Sequence, residues 1–496
     1  MSFMTERILM AILRPLSPAA GYELTARLFL RSLALIYLAA FYSASREITG
    51  LIGADGVLPA GEYLHRLFDQ FGAIAWLRFP TLFWLDHGDT TLLASTWLGM
   101  LMALLLLIGW RPLFSTSMLF VLYLSLFRVG QLFFNFQWDY LLLEVGFLSI
   151  FLTRGPTVLL VFLFHWLLFR LRFLSGLSKL LSGDPSWAGL TTLQHYFETQ
   201  PLPHMGAWHA HHLPVPVLQF GTGLTLFVEL LVPFFIFLPR PFRLLAAALT
   251  IGMQLLIIAT SNHNFINLLT IALCLFLLDD RALRSVLPWR ARATTPVANG
   301  PPVHTVARPV VVLTAILVAG PILFASTLGI REFIAGTHGQ EGWNTPVNWV
   351  RGWGLGNVYH VYPTMQTERQ ELSIEGSLDG RVWRQYRFRY KPNTVDDRPA
   401  FIVPLHPRID WMIWFIPPQN EAMRYWFERF LWQLKQGSPA VLVLLANDPF
   451  AGTPPRYLRV MAYRYRFTTP AERAGSGRVW DAELLGQFPF VPPRRP

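Results

Sequence analysis

The chain has 496 residues, of which 53% are hydrophobic and only 14% are charged, with a formal net charge of +11. A soluble protein usually carries about 25% charged residues, so this composition excludes an ordinary soluble protein and favours a chain that lies largely in lipid. The single cysteine, Cys274, excludes an internal disulfide and a dithiol redox motif.

Nine segments are apolar enough to cross a bilayer, which needs about 20 mostly apolar residues. Two of them, the fourth and the eighth, are short, and the fourth contains Glu144. Residues 1–27 lack the apolar core and cleavage site of a signal peptide, so we expect the first segment to act as an uncleaved signal. The nine segments are 28–45, 92–109, 113–129, 138–152, 157–174, 216–238, 242–260, 265–278 and 310–328.

Basic residues assign the sides of the membrane. With the N-terminus in the cytoplasm, they fall mainly in the cytoplasmic loops, as the positive-inside rule requires, and they form no separate cluster that would indicate nucleic-acid binding. Nine crossings place the C-terminal region on the exported side, whereas an even number would reverse it. The exceptions are Arg170, Arg172 and Lys179, near the outer end of the fifth segment. The conforming residues include Arg111, Arg154, Arg240, Arg243, Arg281, Arg284, Arg290 and Arg292.

The last third of the chain has a different pattern. A Pro-rich linker at 288–309 follows the bundle of residues 1–287, and the last membrane helix at 310–329 precedes an extracytoplasmic domain at 330–496. Alternating polar and apolar residues predict strands there, an Asp-Gly turn at 377–380 predicts a hairpin, and helical spacing predicts one helix at 421–436. The predicted fold is therefore an α-helical polytopic membrane bundle with a C-terminal β-rich, sandwich-like soluble domain. The predicted strands are 371–375, 383–390, 441–446 and 457–467.

Polar residues concentrate just before and within the fourth segment, although each ionisable group in lipid costs about 2.5–3.5 kcal/mol. A helix would place Gln131, Asn135 and Asp139 on one face, whereas an irregular segment would line a cavity. We favour a structural role over a functional cavity, for example a salt bridge from Arg128 to Asp139 or Glu144. The whole intramembrane polar cluster is Arg128, Gln131, Asn135, Trp138, Asp139 and Glu144.

Two further spans carry solitary ionisable residues, Glu229 and His165, which we interpret as satisfied packing partners. Lys179 is interpreted as snorkelling to the headgroups, with a buried base as the alternative. The segment 261–264 is interpreted as a tight turn, with His263 on a cavity lip as the alternative.

A histidine-rich loop precedes the sixth segment. Imidazole is a common zinc ligand, but no acidic or cysteine partner stands at a recognised metal spacing. We therefore predict no metal site and no cofactor, with these histidines as the only candidates for a metal. They are His204, His209, His211 and His212.

Three stretches carry a resemblance to a known family. They read FNFQWDYLLLEVG at 134–146, RFLSGLSKLLSGDPSW at 172–187 and FIVPLHPRIDWMIWF at 401–415. Together they resemble the lipase maturation factors, although in the third the spacing of Trp411, Met412 and Trp414 is compressed by one residue. The bundle is more distantly similar to vitamin K-dependent carboxylase-like membrane proteins.

The resemblance implies assisted folding of exported proteins, with lipases as clients, in a bacterial inner membrane or the endoplasmic reticulum membrane. It also implies that the third stretch is the centre of client contact, although for the individual residues we favour a domain core that contains Trp411 and Trp414, with Arg408 and Asp410 as a buried pair. The residues concerned are His406, Pro407, Arg408, Asp410, Trp411 and Trp414.

The first hypothesis is therefore a maturation factor whose partners are membrane lipid and secreted proteins. Two other functions stay open. A membrane enzyme acting on a lipid-soluble substrate would use Lys179, His195, Asp139 or Glu144 as acids and bases. A transporter would explain the intramembrane charges, but no inverted repeat is visible.

Overall fold

A computed structural model describes residues 14–286, 308–337, 345–418 and 421–489 of the chain. Nine apolar helices follow one another within these residues, and seven of them are long and apolar enough to cross a membrane. The prediction of a polytopic helical bundle is confirmed. The nine helices are α1 (Glu23–Ser45), α2 (Asp89–Ile108), α3 (Pro112–Val129), α4 (Gln137–Leu152), α5 (Val158–Leu181), α6 (Val215–Leu230), α7 (Arg240–Thr260), α8 (Ile266–Cys274) and α9 (Arg308–Ile334).

The two helices outside the seven candidate spans are α4, with 16 residues, and α8, with nine residues extended by a 3-10 turn at Leu275–Leu277, while α6 reaches spanning length only together with Val232–Phe235. These are the two segments that the sequence marks as short. Both are buried among the other helices, so neighbouring side chains rather than lipid surround most of their length. The helix α6 continues through the short helix Val232–Phe235.

Local sequence sets where the helices begin and end. The hydroxyl of Thr157 accepts a hydrogen bond from the Leu160 amide and so caps the start of α5. Gly109, at φ +79°, ends α2 in the left-handed conformation that glycine adopts without strain. Pro112 then begins α3, since a first-turn residue needs no amide hydrogen bond.

Short helices form most of the connections. These short α-helices are Ile48–Ile52, Ala60–Phe71, Ala75–Arg78, Pro185–Ala188, Thr192–Thr199, Met205–His211, Asp280–Val286, Pro346–Gly352, Arg408–Met412, Pro439–Leu442 and Pro470–Ser476. Further 3-10 turns lie at Arg14–Leu16, Gly72–Ile74, Leu82–Trp84, Gln131–Phe134 and Ile413–Phe415.

The C-terminal region contains one antiparallel sheet and one long helix, α10 (Glu421–Gln436). The strands are β1 (Arg369–Ser377), β2 (Arg384–Tyr386), β3 (Tyr457–Phe467) and β4 (Trp480–Gln487), in the order β2-β1-β3-β4. A sheet region after the bundle is therefore confirmed. Within the described residues it is a single sheet, and α10, with Trp426 and Phe430 fully buried, supplies a helical layer beside it.

One predicted strand is wrong. Residues 441–446 form the end of the helix Pro439–Leu442 and a turn, because the Ser438 hydroxyl caps that helix and Pro439 favours its first turn. The predicted strand at 383–390 shortens to the three residues of β2, and β4 was not predicted.

The C-terminal region packs on the end of the bundle at which α1 ends. The Ser438 hydroxyl donates to the Asp55 carbonyl at 2.9 Å, and the Trp208 indole donates to the Thr468 carbonyl at 2.9 Å. The helix α9 returns to the bundle, where its Ser326 accepts a hydrogen bond from Trp166 of α5. Most of the predicted linker 288–309 lies outside the described residues, and α9 begins at its last two positions.

Candidate functional site

The polar stretch before α4 is not one helix. α3 ends at Val129, Gln131 has φ +49°, and a 3-10 turn at Gln131–Phe134 precedes α4. The Asp139 carboxylate accepts from the Phe136 amide at 3.4 Å in the first turn of α4. The helical alternative is therefore wrong, because a new helix begins at Gln137 instead of the previous one continuing. The segment is irregular, as the other alternative held, and of Gln131, Asn135 and Asp139 only Gln131 lines a cleft described below.

Asp139 pairs with an arginine from the third motif, 269 residues further along the chain. The Arg408 guanidinium donates to both carboxylate oxygens of Asp139, at 2.8 and 3.1 Å. Tyr123 donates to Oδ1 of Asp139 at 2.5 Å, and the Arg408 guanidinium lies 3.6 Å from the centre of the Phe134 ring. Asp139 and Arg408 are essentially inaccessible to solvent, so this is a fully desolvated, bidentate ion pair.

Arg128 has a different partner from the ones the sequence suggested. Its guanidinium donates to the Arg78 carbonyl at 3.0 Å, while Asp139 and Glu144 are taken by other arginines. A salt bridge from Arg128 to either acid is therefore wrong. Gln131 likewise donates to a backbone carbonyl, that of Leu58, at 3.0 Å. Asn135 accepts a hydrogen bond from the Tyr140 hydroxyl.

The backbone around Arg408 is held by the end of α1. The Arg408 amide donates to Glu47 at 2.6 Å, and the His406 amide donates to the Ser43 hydroxyl at 3.1 Å. Burial raises the pKa of the Glu47 carboxyl to about 8. Four groups of the bundle, Asp139, Tyr123, Glu47 and Ser43, therefore converge on residues 406–408.

Asp410 does not pair with Arg408, so the alternative of a buried pair between them is wrong. Its Oδ1 accepts from the amides of Tyr390 and Lys391, at 2.7 and 2.9 Å, because it lies in the helical turn Arg408–Met412 beneath that segment. Burial raises the pKa of Asp410 to about 6.

Aromatic rings surround the ion pair. Trp138 lies 5.2 Å from Trp411 and 4.9 Å from His406, measured between ring centres. Burial, and then the charge of Arg408, hold the pKa of His406 well below its usual value. His406, Pro407, Arg408, Asp410 and Trp411 are all buried. This arrangement does not support the expected role of these residues in client contact, because a client could not reach their buried side chains.

Trp414 is the one half-buried member of that motif. Its indole donates to the Thr199 carbonyl at 2.7 Å, which ties it to the loop between α5 and α6.

A second buried pair joins α4 to α5 and to the segment after α9. Glu144 pairs with Arg170, and it also accepts from the Tyr359 hydroxyl at 2.8 Å and the Gly356 amide at 3.1 Å. Arg170 in turn donates to the Asn357 carbonyl at 2.9 Å. Glu144 is therefore satisfied by donors from both parts of the chain.

A third buried group contains two cations and one acid. Glu229 of α6 forms an ion pair with Lys179, with 2.7 Å between the amine and Oε2, and its Oε1 accepts a hydrogen bond from Arg172 at 3.0 Å. The Lys179 amine also donates to the Val361 carbonyl at 2.8 Å. The snorkelling interpretation of Lys179 is wrong, because the side chain faces α6 and is 4% exposed.

The remaining part of the second motif also reaches the C-terminal region. Asp184 accepts from the Met365 amide at 2.6 Å, and hydrogen bonds from Ser186 help to lower its pKa. Trp187 lies beneath the Lys179 amine, 5.1 Å from it.

The histidines of the loop before α6 do not converge. The ring of His204 accepts from the Gly206 amide, and that of His212 contacts the Trp208 carbonyl at 2.7 Å. His211 lies 3.9 Å from Glu198, and the His209 ring packs on Trp208. In the described part of the chain, no three His, Cys, Asp or Glu side chains are grouped to hold a metal ion.

The other candidate histidines have local roles. His165 bonds to the Phe276 carbonyl at 2.7 Å and so joins α5 to the end of α8, as a packing partner would. His263 bonds to the Tyr196 hydroxyl at 2.5 Å and is buried. Burial lowers the pKa of His263 to about 4. His195 is half-buried on the helix Thr192–Thr199.

The segment 261–264 is buried instead of exposed. All four side chains are buried, and the Asn262 amide group donates to the carbonyls of Leu202 and Ala400 while its oxygen accepts from Ile402. The chain turns at Asn264 and Phe265, so the favoured tight turn holds only for the end of the segment, and Asn262 contacts the C-terminal region.

Sequence reasoning missed Glu47, Tyr123 and Tyr359 as partners of these charges. A signal was present for the cations, because Arg170, Arg172 and Lys179 were the exceptions to the charge rule. These three cations pair with buried acids inside the bundle, Glu144 and Glu229, and so do not report on which side of the membrane a loop lies. No local pattern marked the two tyrosines.

Two surface clefts, of about 300 and 220 Å³, lie among the described residues. Neither is lined by Asp139, Glu144 or Lys179. The buried charges thus contact one another, nearby side chains and the C-terminal backbone. We call the two groups centred on Asp139–Arg408 and Glu144–Arg170, with Glu47, Tyr123 and Tyr359, the joint between the bundle and the C-terminal region.

Comparison with known proteins covers both sides of the joint. Residues 24–285 match the lipase maturation factor transmembrane domain, and residues 355–490 match the lipase maturation factor C-terminal domain. The chain is 34% identical to lipase maturation factor 1 of Mus musculus, over 96% of this chain and 88% of that protein. It is 33% identical to lipase maturation factor 2 of Mus musculus, over 95% and 83%. It is 32% identical to lipase maturation factor 1 of Homo sapiens, over 94% and 87%. No solved structure matches the chain.

Proposed function

The chain belongs to the lipase maturation factor family, and from this premise we propose that it is a membrane-bound maturation factor for exported proteins, with lipases as clients. The relatives are named for the maturation of lipases. Of the residues that would serve a membrane enzyme, Asp139 and Glu144 are engaged in the joint and Lys179 is paired with Glu229, which favours the maturation role over catalysis.

One observation carries this proposal. The C-terminal region is attached to the bundle through Arg408 on Asp139 and through the backbone at Gly356 on Glu144, both far from solvent. Breaking such a contact leaves a buried charge without its partner, which costs free energy. The C-terminal region therefore presents its outer surface in one orientation beside the membrane, as a platform for a client requires.

We place the platform on the exported side. The end of the bundle that carries the C-terminal region is the one where α1 ends, while Arg111, Arg154, Arg240 and Arg281 lie at the other end. The positive-inside rule assigns that basic end to the cytoplasm.

The client surface we propose is the tip of the β1–β2 hairpin. Leu378 and Val382 are 50% and 60% exposed, and Tyr457 lies beside the turn at 42% exposure. The Asp379 carboxylate accepts from the amides of Arg381 and Val382 and so fixes the shape of the turn. Exposed apolar side chains on a rigid turn are the type of surface that contacts partner proteins.

The test is co-expression with a secreted lipase in cells that lack their own maturation factors. The readout is the enzymatic activity of the secreted lipase divided by its mass. We expect the full chain to raise this ratio at least tenfold over an empty vector. An unchanged ratio would contradict the proposed function.

A variant with Leu378→Ser and Val382→Ser tests the surface separately. We expect it to lose most of the gain, whereas Val443→Ser, at an equally exposed position outside the hairpin, should keep it. A full gain with the hairpin variant would leave the maturation role standing and refute the hairpin as its surface.

A further inference from the structure

A basic cleft opens in the C-terminal region beside the bundle. It has a volume of about 220 Å³, and four cationic side chains line it against a single acid, Asp397. The cations are Arg387, Arg389, Lys391 and Arg398.

Two of these cations have an ion-pair partner and two do not. Arg387 pairs with Asp397 at 2.6 Å, and Lys391 pairs with Glu371 at 2.8 Å. Arg389 donates only to backbone carbonyls, those of Val443 at 2.6 Å and Leu444 at 3.3 Å. Arg398 is exposed, and within the described residues neither Arg389 nor Arg398 forms an ion pair. The cleft therefore has a surplus of about two positive charges in guanidinium form, which favours carboxylate or phosphate ligands.

The position of the cleft favours the phosphate of a lipid over other anionic ligands. The carbonyl of Ala400, which lines the cleft, accepts a hydrogen bond from Asn262, two residues beyond the end of α7. The neighbouring Phe401 is 58% exposed, and its ring lies 5.2 Å from His204, which bonds to the Ile258 carbonyl in the last turn of α7. An exposed phenylalanine thus lies level with the end of a membrane-spanning helix, where hydrocarbon meets headgroups.

We propose that this cleft binds the phosphate of an anionic phospholipid headgroup, with Phe401 against the start of its acyl chain. The cleft is large enough for a headgroup and too small for a folded protein domain. Arginine supplies the phosphate contact and phenylalanine the apolar contact, the pairing found where a protein meets an anionic membrane surface. Occupation of this site would make the seating of the C-terminal region depend on lipid composition, independently of any client.

The experiment uses the full chain in a neutral detergent, titrated with short-chain phosphatidylglycerol, short-chain phosphatidylcholine or inorganic phosphate, with binding followed by thermophoresis. We expect phosphatidylglycerol to bind at least tenfold more tightly than either of the others. Equal affinity for the two lipids would overturn the proposal, and so would inorganic phosphate binding as tightly as phosphatidylglycerol.

Variants assign the binding to the cleft. Arg389→Gln with Arg398→Gln should weaken phosphatidylglycerol binding about tenfold, and Arg398→Gln alone, at an exposed position, should weaken it about threefold. Phe401→Ser should weaken lipid binding without changing phosphate binding. The matched control, Arg464→Gln with Arg478→Gln, removes two exposed arginines outside the cleft and should have no effect. Unchanged lipid binding in both Arg398 variants would refute the site.

Discussion

The joint and the sheet use ion pairs in opposite ways. At the joint, Asp139 and Arg408 are 269 residues apart in sequence and buried. On the sheet, Arg464 and Glu483 are 19 residues apart on neighbouring strands, and both are roughly half exposed. A buried pair that joins distant segments restricts how two regions can dock, because any other arrangement leaves a charge without a partner. An exposed pair between neighbours adds little, because water solvates either charge alone.

The sharpest test of this contrast removes the cation of the joint. Arg408→Leu leaves Asp139 buried and unpaired, so we expect a loss of about 3–5 kcal/mol in the stability of the joint. The measurement is the temperature at which limited proteolysis releases the C-terminal region, followed together with the reaction of a fluorogenic maleimide at Cys274, which is buried in the bundle.

The double variant Asp139→Asn with Arg408→Leu provides the control. Removing both charges should recover more than half of the loss, because no unpaired charge then remains. A loss in the double variant equal to the sum of the losses in Asp139→Asn and Arg408→Leu would show that the pair does not couple the regions.

The second test concerns close packing at the joint. Gly354 has φ +75°, and a Cβ at this position would lie 2.7 Å from the Leu143 side chain. Gly380, in the hairpin turn, has φ +77°, and its nearest neighbour would be 3.5 Å away. Both alanine variants strain the backbone, but only Gly354→Ala also overpacks, so we expect it to cost about 1–3 kcal/mol more in thermal unfolding. Equal costs would contradict close packing at Gly354.

The third test uses pH. The pKa of Glu47 is raised to about 8 in the folded protein, against about 4.5 when unfolded, so its contribution to stability is complete below pH 4.5 and is lost as pH rises through 8. We expect wild type to lose roughly 1 kcal/mol more than Glu47→Gln between pH 7 and 9. Parallel pH profiles for the two proteins would contradict a neutral, buried Glu47.

The smallest effect belongs to the sheet. Arg464→Ala removes exposed pairs with Glu368 and Glu483. We expect a change within about 0.5 kcal/mol in the same thermal assay, and less at high salt. A loss as large as that of Arg408→Leu would erase the distinction between the two regions.

The sequence was a good guide to elements and a poor guide to partners. Hydropathy located the apolar helices, including the short α4 and α8, because lipid demands long apolar runs. The motif residues Asp139 and Arg408 were both singled out, but nothing local indicates that side chains 269 residues apart meet. Residues 441–446 were assigned to a strand because periodicity alone cannot separate a short apolar run from a capped helical turn.

The distance in sequence between Asp139 and Arg408 has a consequence for biosynthesis. A ribosome adds about 5–20 residues per second, so the 269 residues between them take roughly 13–54 s to make. During that interval α4 is already complete, and its carboxylate has the Tyr123 hydroxyl and the Phe136 amide as early partners but no cation. The carboxylate of Asp139 therefore stays without its cationic partner until the distal arginine emerges. Truncated nascent chains that stop before residue 408 should therefore be preferred targets of membrane quality control.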